Sequence, residues 1–192
     1  MNLDTFEGTP PFLLNRHRVL FRIQPARARP GSPAIGALRV ARASSLAGRF
    51  SIPDRRVAYF ADSQDTAGYE VFGRREQQFI SLERLRAGEL LCAELADDMI
   101  LLDLTQHAAS YPVLQSTRYS PTQALAAEAA SAGFDGIAYR SAQQHGGTCY
   151  AMFEHTFAHV RARWRQRLVQ PRTGNSHRLV VTVASGAQLP LA

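Results

Sequence analysis

A short apolar segment followed by a polar, helix-forming pattern marks the centre of the sequence. Residues 57–61 are apolar and aromatic, as in a buried strand. Asp62 and Ser63 are typical helix N-cap residues, and Asp65 puts negative charge in the first turn, where the helix dipole favours it. The pattern predicts a strand and then a helix that carries Glu70. A carboxylate there lies either on the solvated side of the helix or in a cleft, and spacing alone leaves both open.

Alternating and apolar segments elsewhere predict further short strands. These are expected at 17–23, 148–153 and 179–183, and residues 134–141 are expected to lead from the preceding helix into a strand that ends in a serine. Segments 90–95 and 99–104 predict two more strands, and the polar residues between them predict a hairpin turn. The arginine-rich segment 160–168 is predicted to be a charged strand or helix.

Helical patterns are fewer. Ser120 and Pro121 are typical of a helix start, an alanine-rich segment with high helix propensity follows, and Gly133 is a typical end. A shorter helix or turn is predicted at 80–85.

Many short strands with a few helices, in no regular strand–helix–strand order, predict an α+β fold. The length favours one domain over residues 1–192. Within it, residues 1–15 are expected to be a loosely held N-terminal segment, and residues 25–33 form a loop rich in proline and arginine.

The composition is ordinary for a globular protein except for its positive charge. Of the 192 residues, 45% are hydrophobic, which suffices for one substantial core. The net charge is +6, and all 22 basic residues are arginines. A GC-rich coding sequence accounts for that choice, yet the positive field still favours phosphate-bearing ligands and acidic partners. Cys92 and Cys149 fit no zinc or disulfide pattern, so a reducing cytoplasm is expected. No signal peptide or membrane-spanning segment is predicted.

Four short motifs occur in an order that resembles one known family. They are Phe21-Arg22, Gly48-Arg49-Phe50 before the strand with Tyr59, Thr66-Ala67 with Glu70, and Gly136-Ile137-x-Tyr139-x-Ser141 before a Gly-Gly loop. Over roughly residues 17–155 the chain resembles the RES domain, which is named for its Arg, Glu and Ser. That family comprises toxins of bacterial toxin–antitoxin pairs whose antitoxins carry an Xre-like helix-turn-helix region.

The resemblance implies an ADP-ribosyltransferase-like split sheet and an activity on NAD as substrate. The signature residues of the family correspond to Arg22, Glu70 and Ser141, which are thereby implied to be catalytic. NAD binding is implied for Arg22, Arg49, Tyr59 and Ser141, with no metal. The implied partner is a cognate antitoxin that covers the active site, so nucleic acid is contacted only indirectly, through that antitoxin.

These residue types suit cleavage of the nicotinamide–ribose bond. The reaction creates an oxocarbenium-like centre, which a carboxylate such as Glu70 stabilises while it holds a ribose hydroxyl. Arginine forks bind pyrophosphate, an aromatic ring such as Tyr59 stacks on nicotinamide, and Ser141 is a small hydroxyl donor. Without the resemblance, the sequence favours Tyr59 as a core aromatic and Ser141 as a strand-end residue that binds its own loop.

Two reactions stay open at this stage. Water or phosphate accepts ADP-ribose and NAD is depleted, or a host protein side chain accepts it and the chain is a mono-ADP-ribosyltransferase. Phe21 stands where Tyr or Trp is frequent in the family, and Phe50-Ser51 stand where Trp-Asn is frequent. These departures predict a changed pocket rim and, with it, a changed acceptor.

Three other interpretations have less support. Ser141, His145 and Asp135 include the residue types of a nucleophilic triad, but no Gly-x-Ser-x-Gly turn surrounds the serine. His155 and His159 have the spacing of a zinc site, but the glutamate of HExxH and a third ligand are missing. The positive charge permits a nucleic-acid-binding domain, yet no known nucleic-acid-binding motif accompanies it.

Overall fold

The computed structural model describes residues 1–74 and 76–192, which form a curled mixed sheet flanked by helices. Strands β1 to β10 are Phe12–Leu14, Val19–Pro25, Ala34–Ile35, Leu38–Arg39, Val57–Ala61, Gly88–Leu95, Met99–Asp103, Gly136–Arg140, Thr148–Phe153 and Val160–Arg167. Helices α1 to α4 are Gln64–Phe72, Leu82–Ala87, Ser120–Ser131 and Arg178–Ala187, and short 3-10 helices lie at Leu3–Phe6, Pro112–Gln115 and Glu154–His159. The predicted α+β class is confirmed. Among the helices described, none is long and apolar enough to cross a membrane.

The main sheet has the strand order β1-β7-β8-β9-β5-β2-β6-β10, and β3 and β4 form a separate hairpin. Neighbouring strands are antiparallel except for β7 and β8. In the described part of the chain, the ladder between β2 and β5 has a single residue pair, Phe21 with Ala61. By contrast, β2 forms seven pairs with β6, and β5 forms five with β9. The sheet is therefore split into two halves. One half contains β1, β7, β8, β9 and β5, and the other contains β2, β6 and β10.

Side chains of each strand alternate between the two faces of the sheet. In β5, Ala58 and Phe60 pack in the core on one face, which the β3–β4 hairpin covers with Leu38. Tyr59 and Ala61 point to the other face, which is covered by α3. Beside it, α1, α2 and α4 enclose a third apolar cluster. The helix that carries Glu70 thus lies on the Tyr59 side of the sheet.

Helix α4 packs closely on α1 at two glycines. A Cβ atom built on Gly68 would lie 2.7 Å from methyl groups of Leu179 and Val183, and one built on Gly186 would lie 1.8 Å from the Tyr69 hydroxyl. The strand predicted at 179–183 is therefore wrong. Its apolar residues recur at helical spacing and are buried against α1, and this tertiary packing overrides the β propensity of valine.

The hairpin predicted between 90–95 and 99–104 is also wrong, although both strands exist. Strand β6 pairs with β2 and β10, whereas β7 pairs with β1 and β8. The turn at 96–98 instead carries the chain from one half of the sheet to the other. In these positions both strands are buried among apolar residues of other strands, which a hairpin between the two alone would not supply.

The N-terminal segment differs from the expectation of a loosely held 1–15. Phe6 is buried, with its ring centre 5.0 Å from that of His107 and 5.3 Å from that of Tyr111. The backbone N–H of Leu3 donates to a carboxylate oxygen of Glu128 at 2.6 Å. Strand β1 then pairs with β7. The segment is held because its aromatic and apolar residues complete the core beside α3.

Candidate functional site

Helix α1 places Glu70 beside the end of β8. The helix begins after Ser63, whose Oγ accepts a hydrogen bond from the backbone N–H of Thr66 at 3.0 Å, as a side-chain N-cap does. Glu70 is half-buried and lies near the C-terminal end of the helix. The solvated-face interpretation of this carboxylate is excluded by the contact that it makes with Ser141.

Ser141 follows β8 and is buried at 6% exposure. Its Oγ donates to Oε1 of Glu70 at 2.6 Å and accepts from the backbone N–H groups of Gln143 and Gln144 at 3.1 and 3.0 Å. A hydroxyl has one proton and two acceptor lone pairs. Because two backbone N–H groups occupy the acceptor positions, the proton of Ser141 is directed at Glu70.

The loop 141–147 is docked onto the first turn of α1. Thr66 Oγ1 donates to Oδ1 of Asp62 at 3.1 Å, and Oδ2 of Asp62 accepts from the backbone N–H of Thr148 at 2.9 Å. A Cβ atom on Gly147 would lie 2.7 Å from Cγ2 of Thr66, so only glycine allows this approach. Sequence reasoning assigned no site role to Asp62, Thr66 or Gly147, although all three belong to the N-cap region or the Gly-Gly loop.

Two further groups around Glu70 stay uncharged. Burial raises the pKa of the Tyr139 phenol and of the Cys149 thiol well above their usual values, and the Glu70 carboxylate raises both further. Tyr139 also packs on Phe50, with ring centres 4.8 Å apart. The carboxylate therefore has a largely apolar, neutral surface behind it.

Arg22 lies at the point where β2 and β5 diverge. Its Nη1 donates to the carbonyl oxygen of Tyr59 at 2.7 Å, and its Nη2 donates to that of Arg39 at 3.1 Å. The guanidinium thus bridges the split in the sheet where the main-chain ladder stops. Desolvation by burial lowers its pKa to about 10, so it remains charged at neutral pH. Its buried Nε has no partner among the described protein groups.

Arg49 and Tyr59 hold the turn at 48–51. A guanidinium N–H of Arg49 donates to the carbonyl oxygen of Leu114, and the group lies 5.5 Å from the ring centre of Tyr119. The Tyr59 hydroxyl accepts from the backbone N–H of Phe50 at 2.9 Å. Burial is the main reason that the pKa of Tyr59 is raised to about 12.

The structure thus brings Glu70 and Ser141 together and leaves the two arginines bound to backbone carbonyls. Within residues 1–74 and 76–192, no hydrogen bond or ion pair joins Arg22 or Arg49 to Glu70. The roles implied for these arginines and for Tyr59 stay predictions.

Neither the nucleophilic triad nor the zinc site considered from the sequence forms among the described residues. His145 is exposed and makes no side-chain hydrogen bond to Ser141 in the described ranges, and Asp135 instead pairs with His155 at 3.0 Å. His159 pairs with Asp97. Among the residues described, no three His, Cys, Asp or Glu side chains are grouped to hold a metal ion.

Comparison with known proteins identifies the family. No curated protein sequence matches the chain. Its fold is similar to that of a chain in the crystal structure of the M. tuberculosis MbcT–MbcA toxin–antitoxin complex, with a TM-score of 0.59 and 19% sequence identity. That similarity covers 81% of this chain and 86% of the other. The sequence profile of the RES domain matches residues 19–172, and because this is most of the chain, the protein belongs to the RES domain family.

Proposed function

We propose that this RES domain is the toxin of a toxin–antitoxin pair and that it cleaves the nicotinamide–ribose bond of NAD, with water or phosphate as the acceptor. The observation that carries the proposal is the 2.6 Å hydrogen bond from Ser141 to Glu70. Membership of the RES family and the similarity in fold to a chain of a toxin–antitoxin complex support it.

The chemistry follows from the direction of that hydrogen bond. Bond cleavage sends an electron pair to the nicotinamide nitrogen and leaves positive charge on the ribose. A carboxylate beside the sugar stabilises this charge, and fixed donors keep it oriented without reorganisation during the reaction. Ser141 holds Oε1 of Glu70. No residue in the described ranges hydrogen-bonds to Oε2, which can accept from a ribose hydroxyl. Ser141 acts here as a donor that positions the carboxylate and not as a nucleophile.

Unsatisfied polar atoms in the loop after Ser141 and at the split between β2 and β5 fit a polar ligand. The side-chain oxygens of Gln143 and Gln144 are buried without a protein partner, and so is Nε of Arg22. Buried polar groups usually have partners, so such atoms call for an explanation. The hydroxyl, amide and phosphate groups of NAD offer donors for the two glutamine oxygens and acceptors for the arginine.

The choice of acceptor rests on two buried departures from the family pattern. Phe50 is fully buried, and Ser51 is 6% exposed with its Oγ accepting from the backbone N–H of Gly48 at 3.0 Å. Because both lie inside the fold, we expect them not to alter the pocket rim, and we propose water or phosphate as the acceptor. The second candidate, a mono-ADP-ribosyltransferase with a host protein target, keeps the support of Phe21, which is half-buried beside the exposed Trp164.

The proposed partner is a cognate antitoxin with an Xre-like region that covers the Glu70–Ser141 site. The proposed place of action is the cytoplasm, where NAD is available. Nucleic acid then enters only through the antitoxin.

The test is incubation of the purified chain with NAD that carries radiolabel in its adenylate phosphate, in cell lysate and in phosphate buffer. Free nicotinamide, ADP-ribose, ADP-ribose phosphate and labelled protein bands are followed together. We expect nicotinamide release with label in the small products. One discrete labelled protein band would instead identify the transferase reaction.

The matched variants are Glu70→Gln and Glu83→Gln, the second being an exposed helical carboxylate outside the site. We expect Glu70→Gln to slow cleavage by roughly 10²- to 10³-fold, because it removes charge stabilisation in the transition state. Glu83→Gln should keep the wild-type rate. Absence of nicotinamide release by folded wild-type protein, or a fully active Glu70→Gln variant, would contradict the proposal.

A further inference from the structure

Strand β10 is the last strand of the sheet, and its outer edge is unpaired in the described part of the chain. It has eight residues, Val160–Arg167, and pairs on its inner side with β6. Eight residues in a strand extend about 26 Å at roughly 3.3 Å each. An edge of this length offers a row of backbone N–H and C=O groups to an added strand.

Strand β10 carries charges of one sign only, and that sign is positive. It carries arginines at 161, 163, 165 and 167 and no acidic residue, and residues 161–166 are all exposed. Across the ladder, the guanidiniums of Arg163 and Arg165 form ion pairs with the carboxylates of Glu94 and Glu89 at 3.5 Å. Arg161 makes no ion pair with any described residue. The edge therefore keeps an excess of positive charge.

Charged edges protect sheets against pairing with copies of themselves. Here the protection is selective, because two β10 edges repel each other whereas a strand that carries carboxylates is attracted. A bulge between Ala162 and Trp164 breaks the alternation, so Arg161 and Arg163 lie on the face of Glu94, and Arg165 and Arg167 lie on the face of Glu89. Trp164, 39% exposed and 6.2 Å from the Phe21 ring, adds an aromatic contact on the same edge.

We propose that the β10 edge binds an extended acidic segment of a protein partner by strand addition. Main-chain hydrogen bonds give such a complex its affinity, and carboxylates opposite the two arginines of one face give it specificity. A polypeptide is favoured over nucleic acid because the free edge presents alternating donors and acceptors, which an extended peptide matches and a phosphodiester chain does not. The inference does not depend on the reaction at Glu70.

The probe is a fluorescein-labelled eight-residue peptide that alternates Glu and Val, titrated with the full chain and followed by anisotropy. Two peptides serve as controls, one that alternates Lys and Val and one with the acidic sequence but proline at its centre. Proline removes a backbone donor without changing charge. We expect the acidic peptide to bind, the basic peptide not to bind, and the proline peptide to bind at least tenfold more weakly.

The variant Arg161→Glu/Arg163→Glu should weaken binding of the acidic peptide at least tenfold and allow binding of the basic one. Its charge-matched control is Arg27→Glu/Arg172→Glu, which changes two exposed arginines outside β10. We expect this control to bind within threefold of wild type. Because the first variant could fail to fold, amide hydrogen exchange of the wild-type chain is measured as well, and the peptide should slow exchange within 160–167.

Three results would overturn the inference. Equal binding of the acidic and proline peptides would mean simple charge attraction without strand addition. Tighter binding of a single-stranded oligonucleotide that is lost in Arg161→Glu/Arg163→Glu would identify a nucleic-acid surface. Absence of protection in 160–167, or a dimer of the chain that this variant dissociates, would exclude the edge as a peptide site.

Discussion

Two glycines lie at contacts of helix α1, Gly68 within the helix and Gly147 in the loop docked on its first turn, and they make equally close approaches to different kinds of neighbour. A Cβ atom on Gly147 would lie 2.7 Å from Cγ2 of Thr66, and one on Gly68 would lie 2.7 Å from methyl groups of Leu179 and Val183. At Gly147 the neighbour is fixed by hydrogen bonds to Asp62 and Ser63. At Gly68 the neighbours are the ends of apolar side chains. The same distance therefore has different consequences.

The difference shows how α1 positions Glu70. On the side of the 141–147 loop, directional hydrogen bonds fix the register of the helix against Ser141. On the side of α4, apolar packing fixes its distance from the core without fixing hydrogen-bond geometry. We therefore expect changes at the polar contact to reduce both stability and activity, and changes at the apolar contact to affect mainly stability.

The largest effect is expected for Gly147→Ala. The new methyl group must displace Thr66, which is held by its hydrogen bonds, so the free energy of unfolding should fall by about 2–3 kcal/mol. NAD cleavage should fall at least tenfold, because Ser141 moves with the loop. Urea unfolding and nicotinamide release measure the two effects. Adding Thr66→Ser, which removes Cγ2, should restore about half of the stability; a double variant no better than the single would contradict this contact as the cause.

Gly186→Ala should destabilise the protein slightly less. Its Cβ would lie 1.8 Å from the Tyr69 hydroxyl, and we expect a net loss of about 2 kcal/mol even after the roughly 1 kcal/mol that alanine gains over glycine in a helix. Thermal unfolding is the measurement. In a Tyr69→Phe background the same substitution should cost less than half as much, and an unchanged cost would exclude the hydroxyl contact.

Burial of Tyr59 predicts a pH dependence of stability. The hydroxyl end of its ring packs against Gly48, and burial raises the Tyr59 pKa from 10.0 to about 12. The folded state thus keeps a proton that the unfolded state loses above pH 10, so Tyr59 makes stability fall as the pH rises from 10 to 12. Arg22, whose pKa burial lowers to about 10, has the opposite effect above about pH 10, where the folded state loses a proton that the unfolded state keeps.

The comparison of wild type with Tyr59→Phe isolates the tyrosine. Between pH 9 and pH 11 the wild type should lose about 1 kcal/mol more unfolding free energy than the variant. Urea midpoints at the two pH values measure this difference. Parallel pH profiles would mean that Tyr59 ionises in the folded state as freely as in the unfolded one.

The smallest effect is expected for Gly68→Ala. Leu179 and Val183 must shift their methyl groups, but the helix gains alanine propensity, so the net change in unfolding free energy should stay within about 1 kcal/mol. NAD cleavage should stay within twofold of wild type. A loss of activity equal to that of Gly147→Ala would remove the distinction between the two sides of α1.

Local signals explain how much of the fold was predictable from sequence. The strand at 57–61 and the N-cap at Ser63 were predicted correctly because an apolar run and a capping side chain are properties of adjacent residues. The strand at 179–183 was wrong because its helical conformation depends on Gly68, more than a hundred residues earlier in the chain. The predicted hairpin between β6 and β7 was wrong for the same reason, because each strand pairs with strands that are distant in sequence.

The site shows the same limit. Glu70 and Ser141 were named through resemblance to a family, because no local pattern links residues 71 positions apart. Asp62 was visible as a capping residue, yet its bond to Thr148 depends on the pairing of β5 with β9. The contact of Arg22 with the Tyr59 carbonyl depends on where two strands diverge, which sequence alone does not specify.

The split between β2 and β5 has a consequence for the kinetics of folding. Along the chain, strands of the two halves are interleaved, so neither half can be completed before much of the other has been synthesised. Strand β1 pairs with β7, and Phe12 finds its partner only at Leu101. Such long-range pairing raises contact order and slows folding. A nascent chain therefore acquires its candidate site only after residue 141 has left the ribosome, late in synthesis.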